Sequence, residues 1–210
     1  MKARRRRDTN ILAVDTTGQT LSLALLAGDK VLVSSPKRRR PHDETLFSET
    51  EKLLGRAKLK LEDLHAVAAA SGPGRFTGIR VGLTFASMLG AVLDVPAIGA
   101  SLLEARARRE PPALLTGQRF YAILEGFQGE KFIQGFQWRK GRLLPLGEPE
   151  WIESGRVQKR LRQAHKQGVV LSGPVQAQDL LACAQERLSR GAKDSAIPLY
   201  LKPASYERKK

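Results

Sequence analysis

The sequence contains a single cysteine, Cys183, so the chain cannot form an internal disulfide. Cys183 falls within a helical pattern, and the apolar stripe of that pattern consists of Leu180, Leu181, Ala184 and Leu188. Because no histidine lies near it in sequence, we expect a structural thiol rather than a reactive one. One free cysteine also fits a reducing compartment, and we expect a cytoplasmic protein.

Long hydrophobic runs are missing as well. No uninterrupted stretch of about 18 apolar residues occurs, so we expect no transmembrane helix and no membrane partner. The beginning of the chain is basic at Lys2 and at residues 4–7, but Asp15 and Gly18 interrupt the apolar segment that follows. That is not the pattern of a signal peptide. With 41% hydrophobic residues, the chain can still bury an ordinary core.

Catalytic motifs are scarce. The three histidines, His42, His65 and His165, lie far apart in sequence, and we expect a structural or exposed role for each. No Walker A loop, GxSxG elbow, CxxC pair or HExxH helix occurs. We therefore predict no catalytic residue and no metal site.

Acidic residues are few relative to basic ones. The chain has 36 Lys and Arg against 21 Asp and Glu, a formal net charge of +15. Much of the surplus lies in runs at residues 4–7, 37–40 and 208–210, which bind polyanions without reading sequence. Aromatic content is only 6%, and no aromatic-basic motif of the RNA-recognition type occurs. The charge indicates proximity to RNA rather than a base-reading domain.

The most distinctive segment that is present is SGPGRFTGIR, residues 71–80. It follows a short apolar run that predicts a buried strand, and it precedes a predicted helix over residues 78–93 with Thr77 as its N-cap. The helix carries small residues at spacing four, namely Gly78, Gly82, Ala86 and Gly90. Glycine inside a helix lowers helix stability by about 1 kcal/mol relative to alanine, so we expect another interaction to offset this cost. The row either packs closely on its own sheet or admits a partner helix.

The remaining pattern predicts the element order βββαβαβ for the first half of the chain. The strands are predicted at residues 11–16, 20–26, 30–34, 66–70 and 96–99, with an amphipathic helix at 42–57. Composition changes at residues 110–112, so we predict two lobes, 1–109 and 110–210. In the second lobe we predict strands at 120–127, 131–138 and 169–172, and helices at 154–167 and 175–189.

Several of these motifs together resemble the TsaB family of bacterial tRNA threonylcarbamoyladenosine biosynthesis proteins. They are Asp15-Thr16-Thr17, His42, SGPGRFTGIR, VPAIGAS and PLYLK. The resemblance is dense in the first lobe and thin in the second. It implies an α/β, two-lobed actin/Hsp70-like fold whose ribonuclease-H-like lobes each contain a mixed sheet with a βββαβαβ core.

The resemblance also bears on phosphate and metal chemistry. Catalytic members of this superfamily bind metal and phosphate through the aspartate of the first hairpin, so Asp15, Thr16 and Thr17 form a vestigial phosphate-binding candidate. A turn aspartate that bonds nearby backbone is an equally open reading of Asp15. The second acidic glycine-rich loop is missing from the second lobe. Many members of the family also carry an Asp-Ala-Arg segment in that lobe, and Glu125-Gly126-Phe127 stands at the corresponding place. The histidine pair of the related transferase TsaD falls here on Leu102 and Arg106.

From this resemblance we expect an accessory subunit, not an enzyme, that binds and activates a TsaD-like threonylcarbamoyltransferase. A TsaE-like ATPase is a further expected partner, tRNA is contacted indirectly, and a homodimer is left open. We expect no cofactor bound by this chain alone, and leave open whether ATP or ADP binds at the interface. The predicted interface residues are His42, Leu46, Phe47, Leu53, Thr77, Gly78, Arg80, Gly82, Ala86 and Gly90.

Two other functions remain open on the sequence. One is a glycoprotease-like or nucleotide-hydrolysing enzyme, which lacks the histidine pair and the second phosphate loop. The other is a free-standing basic RNA-binding protein that uses its charged runs.

Overall fold

The computed structural model describes residues 9–35, 42–115, 117–192 and 195–202. The three basic runs at 4–7, 37–40 and 208–210 lie outside the described residues. The chain forms two compact units. The first consists of Met1–Ser101 and Gln176–Pro198, and the second of Leu102–Val175 and Leu199–Lys210.

The first unit contains a five-stranded sheet in the order β3-β2-β1-β4-β5. Its strands are β1 (Asn10–Asp15), β2 (Ser22–Ala27), β3 (Lys30–Ser34), β4 (Ala66–Gly72) and β5 (Ala97–Ser101). The first three strands form an antiparallel meander, whereas β4 pairs parallel with β1 and β5 parallel with β4. This order of strands confirms the βββαβαβ pattern.

Helices cover both faces of this sheet. Helix α1 (His42–Ala57) and helix α2 (Phe76–Leu93) share a core with Leu12 and Val14 of β1. Because side chains alternate along a strand, Ile11 and Ala13 point to the opposite face, and both are fully buried. Helix α6 (Ala177–Ser189) packs on the sheet there, with Cys183 in its buried stripe.

In the second unit, β8, β7, β6 and β10 follow one another in the sheet as β3, β2, β1 and β4 do in the first. Its sheet has the order β10-β6-β7-β8, and β9 also pairs with β7. The strands are β6 (Arg119–Glu125), β7 (Lys131–Arg139), β8 (Arg142–Pro145), β9 (Glu150–Ile152) and β10 (Val169–Leu171). Helices α3 (Leu102–Arg108), α4 (Pro112–Leu115) and α5 (Val157–Gln167) belong to this unit.

The structure divides the chain differently from the predicted boundary after residue 109. The second unit already begins at Leu102, and α6 returns to the first unit. Amphipathic periodicity predicts a helix over residues 175–189 but does not specify which sheet its apolar stripe covers. The face that receives it is rich in alanine, including Ala13, Ala68 and Ala70, which allows a helix to approach closely.

Helix α2 differs from the prediction in where it begins and in its apolar length. Thr77 is not the N-cap of α2, because the helix begins at Phe76, two residues before its predicted start, and Arg75 occupies the cap without a side-chain hydrogen bond. Within the described residues, α2 is the one helix long and apolar enough to cross a membrane by length and composition. Its eight buried residues are part of the first unit's packing, so we interpret it as a core helix.

Candidate partner-binding surface

Asp15, Thr16 and Thr17 lie at the end of β1, and hydrogen bonds connect this turn to the start of α2. The Asp15 carboxylate, only 7% exposed, accepts hydrogen bonds from the Thr17 backbone N–H at 2.9 Å and from the Thr17 hydroxyl at 2.7 Å. The Thr16 hydroxyl donates to the Gly78 carbonyl at 2.6 Å, and the Arg75 N–H donates to the Thr17 carbonyl at 2.9 Å. Asp15 therefore acts as a turn aspartate, and the vestigial phosphate role stays a prediction.

The row of small residues on α2 faces the chain's own sheet. A Cβ at Gly78 would lie 2.1 Å from the Thr16 carbonyl oxygen, and one at Gly82 would lie 2.5 Å from the Thr16 hydroxyl oxygen. Ala86 and Gly90 are buried on the same side of the helix. The close-packing reading of the row is therefore the one the structure supports, and these four residues do not form an exposed docking face.

The predicted interface stays a prediction, and the structure places its members in two groups. Six residues are buried within the first unit, because they pack against the sheet or between the helices: Leu46, Leu53, Gly78, Gly82, Ala86 and Gly90. Phe47, Thr77 and Arg80 are exposed. His42 begins α1, but its side chain lies outside the described residues.

The opposite side of α2 carries a second row at spacing four: Phe76, Arg80, Thr84, Met88 and Val92. All five are exposed, and Phe76 is 52%, Met88 41% and Val92 75% accessible. Arg80 places its guanidinium carbon 4.0 Å from the centre of the Phe76 ring. It is the one charged residue on the exposed side of this helix.

Phe47 of α1 extends this surface. It is 51% exposed, and its ring meets Phe85 of α2 edge-on with the centroids 5.1 Å apart. We call Phe47 together with the row 76, 80, 84, 88 and 92 the outer α1–α2 surface. A solvent-facing helix side is normally rich in charge, so four large exposed apolar side chains with a single charge on this surface are typical of an interaction site.

Sequence reasoning missed Phe76, Met88 and Val92. Their signal was available, because they recur at the same spacing of four as the small row, displaced by two residues and hence to the other side of the helix. The small row attracted the functional interpretation because glycine inside a helix is unusual. An exposed apolar row cannot be distinguished from a second buried one without the tertiary structure.

Two places to which the resemblance directs attention, Glu125-Gly126-Phe127 and the pair Leu102 and Arg106, lie in the second unit. Glu125 at the end of β6 forms an ion pair with Lys131 at the start of β7, and Glu130 in the loop between these strands pairs with Lys202 at 2.7 Å. Both carboxylates are therefore engaged by lysines. Among the described residues, no group of three His, Cys, Asp or Glu side chains is arranged to hold a metal ion.

Leu102 and Arg106 both lie on α3 and are buried. Arg106 donates from Nε and Nη2 to the Ser172 carbonyl at 3.0 and 2.8 Å, and its Nη1 pairs with Glu110 at 3.0 Å. The guanidinium thus ties α3 to the segment after β10. Arg106, at one position of the transferase's histidine pair, thus has a structural role within the second unit.

Comparison with known proteins finds similarity to two related groups, TsaD and TsaB. Residues 36–116, less than half of the chain, match the family model of TsaD, the tRNA N6-adenosine threonylcarbamoyltransferase. The chain is 30% identical over 138 residues to the tRNA threonylcarbamoyladenosine biosynthesis protein TsaB of Bacillus subtilis (strain 168), covering 63% of this chain and 57% of that protein. It is 33% identical over 98 residues to TsaB of Escherichia coli (strain K12), covering 47% and 42%. The chain spans about half the length of the curated relatives it matches.

A solved structure covers more of the chain. It is an uncharacterized protein with similarity to peptidase YeaZ from Pseudomonas aeruginosa, with a TM-score of 0.73 and 25% identity over 92% of this chain and 100% of that one. The two sheets and this likeness define a two-unit α/β protein. Within that class, the chain is similar to the TsaB proteins, as its sequence motifs predict.

Proposed function

We propose that the chain is a non-catalytic subunit that binds and activates a TsaD-like threonylcarbamoyltransferase. The product of that enzyme would be N6-threonylcarbamoyladenosine beside the anticodon of tRNA. The names of the curated relatives support a role in this modification. The observation that carries the proposal is the outer α1–α2 surface, which is apolar and nearly uncharged on an otherwise strongly basic chain.

The match to the TsaD family model supports the choice of partner. Residues 36–116 include α1 and α2 entirely, so a TsaD-like protein contains a segment related to both helices. Two related helix pairs can pack into one bundle with similar ridges and grooves on each side. The same surface would serve a homodimer when the partner is absent. A TsaE-like ATPase would bind elsewhere on the assembly.

In this arrangement the chain contributes shape rather than reactive groups. The small row fixes α2 firmly on β1 and β4, so the outer surface is presented on a rigid element. Phe47, Phe76 and Met88 would lose water on binding, which supplies the driving force at about 25 cal/mol per Å² of apolar area. A stable interface of this kind buries on the order of 1,600 Å² in total. Activation would follow from holding the partner's helices in one arrangement.

A charge placed on the outer surface tests the proposal. We expect Met88→Glu to reduce affinity for a TsaD-like partner at least about 30-fold, because a carboxylate buried in an apolar interface without a partner costs several kcal/mol. Binding would be measured by calorimetry with purified proteins, and threonylcarbamoylation of tRNA would fall in parallel.

The matched control is Leu144→Glu. Leu144 lies on β8 in the second unit and is 39% exposed, close to the 41% of Met88. This variant introduces the same charge at a similarly exposed apolar position and should bind the partner normally. Equal binding by the folded Met88→Glu protein would contradict the proposed surface.

A further inference from the structure

Helix α5 in the second unit is strongly basic. Its eleven residues, VQKRLRQAHKQ, include two lysines, two arginines and one histidine, and no acidic residue. Val157 and Ala164 are buried in the core that α5 shares with Tyr121 and Ile133. The side that faces solvent is therefore the cationic side.

One of the four Lys and Arg side chains of α5 forms an ion pair. Arg160 forms a bidentate ion pair with Glu150, Nε to Oε2 and Nη2 to Oε1, both at 2.9 Å, and its guanidinium lies 5.6 Å from the centre of the Tyr121 ring. The hydrogen bonds from Arg160 lower the pKa of Glu150 below its ordinary value. The carboxylate beside α5 is thus neutralised by a residue turned toward the sheet.

Lys159, Arg162 and Lys166 remain on the exposed side of the helix. Together with Gln163 they line a shallow depression of about 360 Å³. Within the described residues, none of these three cations forms an ion pair. At a rise of about 1.5 Å per residue, the three charges span roughly 10 Å along one side of α5. We call these four residues the α5 basic face.

The chemistry of this face favours a polyanion over the other classes of partner. A helix that binds a membrane surface inserts its apolar side, but the apolar side of α5 is occupied by the sheet. Lysine is depleted from the cores of protein interfaces, and the α5 basic face has no exposed aromatic or aliphatic anchor. Flexible cations without an apolar contact suit the phosphodiester backbone, which is bound by charge.

We propose that the α5 basic face binds the phosphodiester backbone of RNA. That the RNA is tRNA rests on the proposed function. The contact would be independent of base sequence, and it would add a site on the second unit to whatever the basic runs at 4–7, 37–40 and 208–210 contribute.

The test compares two variants of the full chain that lose the same charge. The first combines Lys159→Gln, Arg162→Gln and Lys166→Gln. The second combines Arg139→Gln, Lys140→Gln and Arg142→Gln at the exposed turn between β7 and β8, which also carries three neighbouring cations. Both keep all three basic runs, and circular dichroism would establish that both remain folded.

Binding of unmodified tRNA would be measured by fluorescence anisotropy between about 50 and 300 mM salt. Each lost phosphate contact reduces the log–log salt slope by roughly 0.7–0.9, so the first variant should lose about 2 in slope and on the order of 100-fold in affinity at 0.1 M salt. The second variant should lose less than about a third of that slope. Equal losses in both variants, or an unchanged first variant, would overturn the proposal.

Two further measurements separate the alternatives. Anionic lipid vesicles should bind both variants equally, and a loss confined to the first variant on vesicles but not on tRNA would overturn RNA as the ligand. Co-elution with a TsaD-like protein should be the same for both variants and the unsubstituted chain. If the unsubstituted chain fails to co-elute, the proposed function is wrong while the RNA measurement is still decisive.

Discussion

At the scale of single residues, the meaning of a helical glycine depends on what surrounds it. Gly55 on α1 has nothing within 4 Å of the position a Cβ would take, whereas Gly78 on α2 lies against the Thr16 carbonyl. Neither is assigned a left-handed backbone conformation, so both could hold alanine as far as the backbone is concerned. Their intrinsic helix propensity is therefore the same, and only the neighbours differ.

We expect opposite effects of alanine at these two positions. Gly55→Ala should stabilise the protein by about 0.5–1 kcal/mol, because it removes the helix cost of glycine in open space. Gly78→Ala should destabilise it by about 2–3 kcal/mol, since the Cβ forces α2 away from β1. Urea unfolding monitored by circular dichroism would give both free energies. Stabilisation by Gly78→Ala would contradict the close contact.

The small members of the predicted interface are poor positions at which to test it. Substituting Gly82 with a large residue would disturb the packing on Thr16, so a loss of partner binding in such a variant would not identify an interface. Exposed residues such as Met88 are the informative positions, because a substitution there leaves the fold intact.

At the scale of elements, α5 shows how a surface helix is anchored by few contacts. Its apolar side is narrow, and the Arg160–Glu150 pair together with the hydrogen bond from the Tyr121 hydroxyl to Gln167 supports it on the sheet. Because the ionised form of Glu150 is favoured in the folded state, the folded protein binds fewer protons there than the unfolded chain does.

This linkage predicts the direction of a pH effect. The stabilisation from Glu150 is fully present above its unfolded pKa of about 4.3 and is lost as pH falls through the lower pKa of the folded state. We expect Glu150→Gln to lower stability at pH 7 by less than about 1 kcal/mol, since the side chain is 51% exposed, and the difference to shrink as the pH is lowered from 7 toward 3. Thermal unfolding at several pH values measures it.

A neighbouring glutamate provides the control for that measurement. Glu148→Gln removes the same charge from an exposed position on the segment before β9 and leaves the Arg160 ion pair intact. Its effect should show no comparable dependence on pH. If both variants lose the same stability between pH 7 and 3, the ion pair does not account for the linkage.

At the scale of the whole molecule, the chain leaves the first unit after Ser101 and returns to it at Gln176. Helix α6 follows β10 of the second unit in sequence, yet it buries Ile11 and Ala13 of the first. Its Ala177 N–H donates to the Ser22 hydroxyl at 3.1 Å, and Arg187 donates to the Gly99 carbonyl. The first unit is therefore assembled from both ends of the chain.

This assembly predicts which unit responds to a cavity in α6. Leu180 is fully buried, and Leu180→Ala should cost about 2–5 kcal/mol. The resulting increase in amide exchange should appear in β1 and β4 rather than in β6 and β7. Hydrogen exchange with mass spectrometry on the full chain resolves the two sheets.

The reciprocal variant is Ile133→Ala, which removes a fully buried side chain from β7. Its exchange should increase in β6 and β7 and leave β1 and β4 unchanged. Increased exchange of β6 and β7 in Leu180→Ala, with β1 and β4 unaffected, would contradict the assignment of α6 to the first unit.

The local sequence pattern alone predicted much of the secondary structure of this protein. The two short turns in residues 11–34 predicted the meander, the period of 3.6 in residues 42–57 predicted α1, and the SGPGRFTGIR motif predicted the resemblance to TsaB proteins, because these signals depend on neighbours within a few residues. Only the tertiary structure decided which sheet α6 covers and which side of α2 faces solvent. It alone also showed that Thr16 occupies the space beside Gly78 and Gly82. The physical reason is that burial is a property of contacts between residues far apart in sequence, and two rows of equal spacing on one helix predict the same periodicity whichever row is inside.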